Sequence, residues 1–194
     1  MHDHRVLNWV GQDTVAQTVG FTSQIKVEGT ALQLRDSRVW LLVRYAYDRL
    51  YSSYSSDGGL TWTTVKPSGI DASDGPAILA RLADGRIALL WNRLYPEGET
   101  SYERRGGDDR TQRMVSGHRE ELSLSLSSDE GLTWTRPVVV GRKKNARVAY
   151  PYVFEPRPGY LWVTTMQGGL RIGFELSRLV APDAETRPMA QWPW

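Results

Sequence analysis

The sequence contains no cysteine, so a disulfide framework and a thiolate metal site are both excluded. Histidine is also scarce, with three residues in the whole chain. His2, Asp3 and His4 stand together near the N-terminus, but His118 is the only other histidine. We therefore expect no metal site, and nothing in the sequence indicates a cofactor.

Long apolar runs are absent as well, so no segment has the length of a transmembrane helix. No basic stretch followed by an apolar core opens the sequence, so no signal peptide is visible. The formal net charge is +2, which is too small to favour binding to nucleic acid or to an anionic membrane. Hydrophobic residues make up 40% and charged residues 24% of the chain, as is typical of soluble globular proteins. We expect a soluble protein, and the sequence does not indicate its cellular compartment.

One short segment occurs twice with a single difference. Residues 55–63 read S-S-D-G-G-L-T-W-T, and residues 127–135 read S-S-D-E-G-L-T-W-T. Residues that favour β-strands flank both copies, and Asp-Gly turns between such runs form hairpins. The aspartate can accept backbone N–H bonds within the turn, and the tryptophan can pack into a core. The chain therefore contains a duplicated structural unit.

A second hairpin pattern, a strand, a tight turn and an apolar strand, occurs three times. It covers residues 31–44, 77–92 and 152–165, with turns near Asp36, Asp84 and Pro158. No helical periodicity competes over any long stretch. The two hairpin patterns alternate along the chain, so together they predict units of four antiparallel strands.

These units predict an all-β fold of the β-propeller type, because four-stranded antiparallel repeats are the blades of that architecture. The first unit covers roughly residues 24–67 and the second roughly residues 76–140, and a third, incomplete unit follows. We assign residues 1–176 to a partial propeller of about three blades. Residues 177–194, which are rich in proline and polar side chains, are assigned to a tail. Three blades do not close a ring, so we expect preceding blades to be missing.

The repeated turn S-x-D-x-G-x-T-W resembles the Asp box, or BNR repeat, of the sialidase (neuraminidase) superfamily, whose propellers have six blades. The stretch E-G-T-A-L-Q-L-R-D-S-R-V-W-L-L-V-R places Glu28 and Arg44 at a glutamate and an arginine position of that family. H-R-E-E-L-S-L-S-L-S-S-D places Arg119 at a later arginine position, and A-Y-P-Y-V-F places Tyr150 at the tyrosine that opens the last blade. The resemblance extends over roughly residues 24–176.

The resemblance implies the chemistry of a retaining exo-α-sialidase. Tyr150 would be the nucleophile and Glu28 the base that activates it, because a phenol with a pKa near 10 needs an adjacent base. Arg44 and Arg119 would clamp the carboxylate of a sialic-acid-type or related acidic glycan through charge-assisted hydrogen bonds. A tyrosine nucleophile suits such a substrate, since a carboxylate nucleophile would be repelled by it.

Strand order supports the same grouping independently. In an antiparallel blade, the start of strand one, the end of strand two and the start of strand three lie at one end. Glu28 and Tyr150 precede first strands. Arg44 ends a second strand, and Arg119 begins a third. We therefore expect these residues on one face, together with the long loop 93–118, and both Asp boxes with their structural aspartates on the other face. The charge-rich run 97–113 within that loop is expected to be solvated and mobile.

The sequence also departs from the family pattern. The first arginine and the acid/base aspartate of the family come from earlier blades, Met166 stands near the place of a family glutamate, and Pro151 follows Tyr150. Two hypotheses stay open. One is a sialidase-like glycoside hydrolase of which this chain carries an incomplete part, and the other is a non-catalytic propeller that binds carbohydrate or protein.

Overall fold

The computed structural model of the chain describes residues 28–45, 47–106 and 114–192. Over these ranges the regular structure consists of β-strands and two short 3-10 helices, without any α-helix. The all-β fold predicted from the sequence is therefore confirmed. No helix in this part of the chain is long and apolar enough to cross a membrane. Three antiparallel sheets, here called blades 1, 2 and 3, follow one another along the chain.

Blade 1 is a four-stranded sheet in which neighbours along the chain pair with each other. Its strands are β1 (Glu28–Gln33), β2 (Val39–Tyr45), β3 (Arg49–Ser55) and β4 (Lys66–Asp71). The turn between β1 and β2 forms where it is predicted, because Asp36 Oδ1 accepts the Arg38 backbone N–H at 3.1 Å and Ser37 adopts a positive φ of 73°. This turn fixes the register that sets Glu28 opposite Arg44.

Blade 2 also has four strands, with a small hairpin inserted between its second and third. In chain order this part of the chain contains β5 (Ile78–Arg81), β6 (Ile87–Trp91), β7 (Arg104–Gly106), β8 (Met114–Ser116), β9 (Glu121–Ser127), β10 (Trp134–Thr135) and β11 (Val138–Arg142). The blade itself consists of β5, β6, β9 and β11, and β7 and β8 form the inserted hairpin. Every residue of β6 and β9 is buried. Because neighbouring blades cover both faces of this sheet, β6 reads as a continuous apolar run.

Blade 3 has three strands in the part of the chain that is described. They are β12 (Ala149–Arg157), β13 (Tyr160–Gln167) and β14 (Arg171–Glu175). The predicted turn after Pro158 is present, and Gly159 supplies its positive φ of 78°. Glu155 accepts the Gly159 N–H at 2.7 Å and the Ala83 N–H at 2.6 Å. That carboxylate therefore ties the turn of blade 3 to the turn of blade 2.

The residues after β14 pack first against blades 2 and 3, through Leu176 and Val180, and then fold back onto blades 1 and 2. They form two 3-10 helices, Leu176–Arg178 and Met189–Gln191, with the short strand β15 (Thr186–Arg187) between them. β15 pairs with β10, and Met189 is buried in the apolar cluster between blades 1 and 2. Trp192 Nε1 donates to the Trp134 carbonyl oxygen at 2.8 Å. The segment that composition assigns to a tail thus packs against the seam between these blades.

Two apolar clusters join the three blades. The cluster between blades 1 and 2 includes Leu42, Leu50, Leu89, Trp91 and Trp134. The cluster between blades 2 and 3 includes Ala88, Leu90, Leu124, Val153 and Val163. Successive residues of β6 alternate between the clusters, because side chains of a strand point to opposite faces in turn. Blade 2 is thus the shared centre of the fold.

The two repeated segments form the same hydrogen-bonded turn, as predicted. Asp57 accepts the Thr61 N–H at 2.9 Å and the Thr61 hydroxyl at 2.5 Å, and Asp129 makes the same bonds with Thr133 at 2.8 and 2.6 Å. The Thr61 bonds lower the pKa of Asp57. Partial burial opposes the same shift at Asp129, but the Thr133 bonds prevail and lower its pKa. Both carboxylates are engaged in holding their turns.

Candidate active site

The four residues singled out from the sequence meet at one end of the blades, where first strands begin and second strands end. Glu28 opens β1 and lies opposite Arg44 near the end of β2. Arg119 lies two residues before the start of β9, and Tyr150 is the second residue of β12. Each blade therefore supplies at least one of these side chains. Strand order alone brings them together from distant parts of the chain.

Glu28 links the tyrosine to the first arginine. The Tyr150 hydroxyl donates to Glu28 Oε1 at 3.0 Å, and Arg44 Nη1 donates to Glu28 Oε2 at 2.5 Å. Each carboxylate oxygen thus has its own donor. A carboxylate held in this way can accept a proton from the phenol without moving its heavy atoms.

Arg44 is held by a second carboxylate, that of Asp74. Arg44 Nε and Nη2 approach Asp74 Oδ1 at 2.7 and 2.5 Å. Burial by itself lowers the pKa of Arg44, but the charges of Asp74 and Glu28 outweigh it and raise that pKa overall. The guanidinium is therefore fixed as a cation with a carboxylate on each of two sides.

Arg119 lies on the other side of Asp74. Its Nη2 donates to the Asp74 carbonyl oxygen and is 3.7 Å from Asp74 Oδ2, and its Nη1 donates to Gln167 Oε1 at 3.1 Å. The guanidinium carbon is 5.6 Å from the centroid of the Tyr150 ring. Burial, reinforced by the positive charge of Arg44, lowers the pKa of Arg119.

A cleft of about 270 Å³ opens beside the Tyr150–Glu28 pair. Its lining comes from the starts of the first strands of all three blades, namely Glu28, Gly29, Thr30, Pro76, Ala77, Ile78, Tyr150 and Pro151. This volume is near the lower end of the range for small-molecule sites. A larger cavity of about 840 Å³ lies elsewhere, along β4, the second Asp box and the C-terminal segment, and none of the four candidate residues lines it.

Two further residues of the site, Asp74 and Gln167, were not anticipated from the sequence. Asp74 lies between β4 and β5, just ahead of a first strand, and Gln167 ends the second strand of blade 3. These are the same strand-end positions that Tyr150 and Arg44 occupy in other blades. The strand-order argument could therefore have found both residues had it been applied to every blade.

Other candidate features lie outside this cluster. Met166 is 72% exposed. His118 is buried, with Nδ1 at 2.9 Å from the Arg93 carbonyl oxygen. His2, Asp3 and His4 lie outside the described residues, and the ranges that are described contain no group of three side chains suited to a metal ion.

The loop 97–113 is described up to residue 106. β7 lies within this loop and pairs with β8, which follows the loop. Arg104 donates a hydrogen bond to Asp48 at 2.7 Å, and Glu97 accepts one from Arg142 at 3.1 Å. The described part of this loop is thus linked to both blade 1 and blade 2.

Stacked antiparallel blades with two Asp-box turns define an Asp-box protein of the β-propeller class. The model of the BNR repeat-like domain family matches residues 2–163 of this chain, and the chain belongs to that family. The matched residues include both Asp boxes and all four candidate residues, so the Asp-box resemblance inferred from the sequence is confirmed. A search of curated proteins found no match to the chain.

Proposed function

We propose that the protein is a sialidase-like, retaining glycoside hydrolase for a sialic-acid-type or related acidic glycan. The observation that carries this proposal is the contact chain from Tyr150 through Glu28 to Arg44, with distances of 3.0 and 2.5 Å. It joins a nucleophile, a base and a cation in one hydrogen-bonded unit beside an open cleft. An activated nucleophile of this kind is the requirement for covalent catalysis.

In the first step, Tyr150 Oη attacks the anomeric carbon while Glu28 Oε1 takes the phenol proton. The bond from the anomeric carbon to the leaving oxygen breaks, and that oxygen takes a proton from solvent. In the second step, water attacks the anomeric carbon and releases a proton to solvent. Tyr150 Oη leaves and recovers its proton from Glu28. Two displacements at the same carbon retain its configuration.

Arg44 and Arg119 would bind the carboxylate of the glycan. Both guanidinium groups are largely buried, so their hydrogen bonds to an anion are poorly screened by water. Their planar donor pairs match a carboxylate geometrically. An anionic substrate also explains why a tyrosine rather than a carboxylate would serve as the nucleophile.

Departure of the leaving group requires a proton, for which a positioned general acid is the usual source. Among the described residues that line the cleft, Glu28 and Tyr150 are the only ionisable ones, and the proposal already uses both. A positioned general acid contributes roughly 10²–10⁴-fold to such reactions. We therefore expect slow turnover of substrates whose leaving oxygen must be protonated.

The same observation supports a second candidate, a propeller that binds carbohydrate without hydrolysing it. The cleft and the arginine pair would serve recognition equally well, and Met166 stands near the place where the resemblance implies a glutamate. The two candidates differ in one measurable property, the formation of a covalent bond to Tyr150.

The proposed function is tested by comparing α-sialosyl fluoride with sialyllactose, because fluoride leaves without needing a proton. We expect measurable release of fluoride and at least 100-fold slower cleavage of sialyllactose. Tyr150→Phe should abolish fluoride release, and Glu28→Gln should slow it by roughly 10²-fold or more. Rates follow from a fluoride electrode and from chromatography of the released sugar.

Tyr152→Phe is the matched control, because Tyr152 lies on the same strand with an exposed side chain. Its fluoride release should equal that of the wild type. Equal rates in the wild type and Tyr150→Phe would contradict the hydrolase. Sugar binding without turnover would then favour the non-catalytic candidate.

A further inference from the structure

The carboxylate of Asp74 lies between the two arginines of the site. Its Oδ1 accepts a hydrogen bond from Arg44 Nε at 2.7 Å and forms an ion pair with Arg44 Nη2 at 2.5 Å. Its Oδ2 is 3.7 Å from Arg119 Nη2. Nε and Nη2 form the side of a guanidinium that pairs with a carboxylate in a two-point contact. Asp74 therefore occupies the donors that an incoming carboxylate would need.

Charge balance leads to the same conclusion. The two guanidinium groups face two carboxylates, because Arg44 also contacts Glu28 at 2.5 Å. The described cluster of Glu28, Arg44, Asp74 and Arg119 thus has no net charge with all four groups ionised. The charge of Arg147 also acts on Arg119, but a third carboxylate would lie close to Asp74, and the repulsion between the two like charges disfavours its binding.

The way in which Asp74 is attached allows its side chain to move while its backbone stays in place. The Asp74 N–H donates to the Ser116 carbonyl oxygen at 2.9 Å, and the Asp74 carbonyl oxygen accepts from Arg119. The side chain itself is 29% exposed and so has a side open to solvent. Rotation of the side chain would free Arg44 without breaking either backbone contact.

We propose that Asp74 is a specificity-determining residue that competes with the carboxylate of a ligand for Arg44 and Arg119. This inference rests on the proposed function in its choice of the arginine pair as the ligand clamp. An acidic glycan binds only when it displaces the Asp74 side chain. Asp74 thereby lowers the affinity of the site for any carboxylate and favours neutral ligands in comparison with acidic ones.

The test uses Asp74→Asn, which keeps the shape of the side chain and the backbone contacts but removes its charge. The probes are acetate, N-acetylneuraminic acid and the neutral methyl ester of that sugar. Affinities are measured from the titration of assigned arginine Nε–H signals in NMR spectra. We expect Asp74→Asn to bind acetate and N-acetylneuraminic acid at least tenfold more tightly than the wild type, with no comparable gain for the ester.

Asp71→Asn is the matched control, because Asp71 lies three residues earlier and pairs with Arg49 at 3.6 Å, away from the clamp. Its affinities should equal those of the wild type. Asp74→Ala gives the same comparison if the asparagine variant does not fold.

The acetate and sugar arms separate the two proposals. A gain for acetate without any binding of the sugar would support the role of Asp74 and contradict the proposed function. Unchanged or weaker binding of both acids in the Asp74 variants would overturn the role of Asp74. If the wild type binds the sugar in that case, the proposed function is left standing.

Discussion

Tyr150 combines a functional position with an unusual backbone. Its φ is 60°, in the left-handed region that is costly for a residue with a Cβ atom, by roughly 1–3 kcal/mol. The sheet holds both neighbours, because Ala149 pairs with Gln167 and Pro151 pairs with Thr165. The phenol of Tyr150 meets Glu28 from this conformation. A strained residue at the cleft is the kind of outlier that accompanies functional sites.

The candidate residues differ in how far the sequence could reveal them. Glu28, Arg44, Arg119 and Tyr150 were found because each stands at a recognisable offset from a hairpin or an Asp box. Asp74 also stands ahead of a first strand, so strand order could have placed it at the site, but its role depends on a contact with Arg44 from another blade. Side-chain contacts of that kind arise from the packing of blades, which the pattern of one strand does not encode.

The buried imidazole of His118 should make the stability of the fold sensitive to pH. Burial lowers the pKa of His118 below its ordinary value of 6.5, although the bond to Arg93 and the charge of Glu121 oppose the shift. Below about pH 6.5 the unfolded chain therefore binds more protons than the folded one. The free energy of unfolding accordingly decreases as the pH is lowered through this range. Above that pH this contribution is fully present.

We expect urea denaturation to give a smaller free energy of unfolding at pH 5.5 than at pH 7.5. His118→Gln should reduce this difference. The control is a variant with His2→Gln and His4→Gln, which should keep the loss seen in the wild type. If His118→Gln retained the full pH dependence, other groups would be responsible for it.

The two Asp boxes show how one element is used in two environments. Their sequences differ at one position, yet Trp134 is 1% exposed within the cluster between blades 1 and 2. Trp62 is only partly buried and packs against the small cluster of Leu41 and Val43 on blade 1. The turn is therefore encoded locally, whereas the energy that its tryptophan contributes depends on the neighbouring blade.

Replacement of the two tryptophans should separate these contributions. We expect Trp134→Ala to lower the free energy of unfolding by about 3–5 kcal/mol, because it removes a fully buried aromatic side chain. Trp62→Ala is its matched control and should cost only about 1 kcal/mol. Urea denaturation followed by circular dichroism measures both values. Equal losses would contradict the assignment of Trp134 to the core between the blades.

Local turn chemistry also explains which elements could be predicted. The turns at Asp36, Asp84 and the Asp boxes follow from the adjacent residues, so these hairpins were expected where they occur. β15 has two residues and pairs with β10, about fifty positions earlier in the chain. No period-two pattern exists in so short a strand, and composition alone suggested a tail. Its place is set by the apolar seam that Met189 and Trp192 cover.

At the scale of the whole molecule, the two faces of blade 3 differ in their surroundings. One face packs against blade 2 through Val153 and Val163. The other carries Phe154 and Trp162, which are directly opposite each other on β12 and β13 and are 55% and 43% exposed. Tyr152 and Met166 are exposed on the same two strands. Large contiguous apolar patches of this kind promote association.

We therefore expect the chain to self-associate at high concentration through this face. The double variant Phe154→Thr and Trp162→Thr keeps β-strand propensity but removes the apolar surface, so it should shift the protein toward monomer. Leu60→Thr and Leu132→Thr form the matched control, because these exposed leucines sit singly on the two turns and isolated exposed apolar residues are ordinary. Sedimentation velocity over a range of concentrations distinguishes the variants. Association of the Phe154/Trp162 variant equal to that of the wild type would show that another surface is responsible.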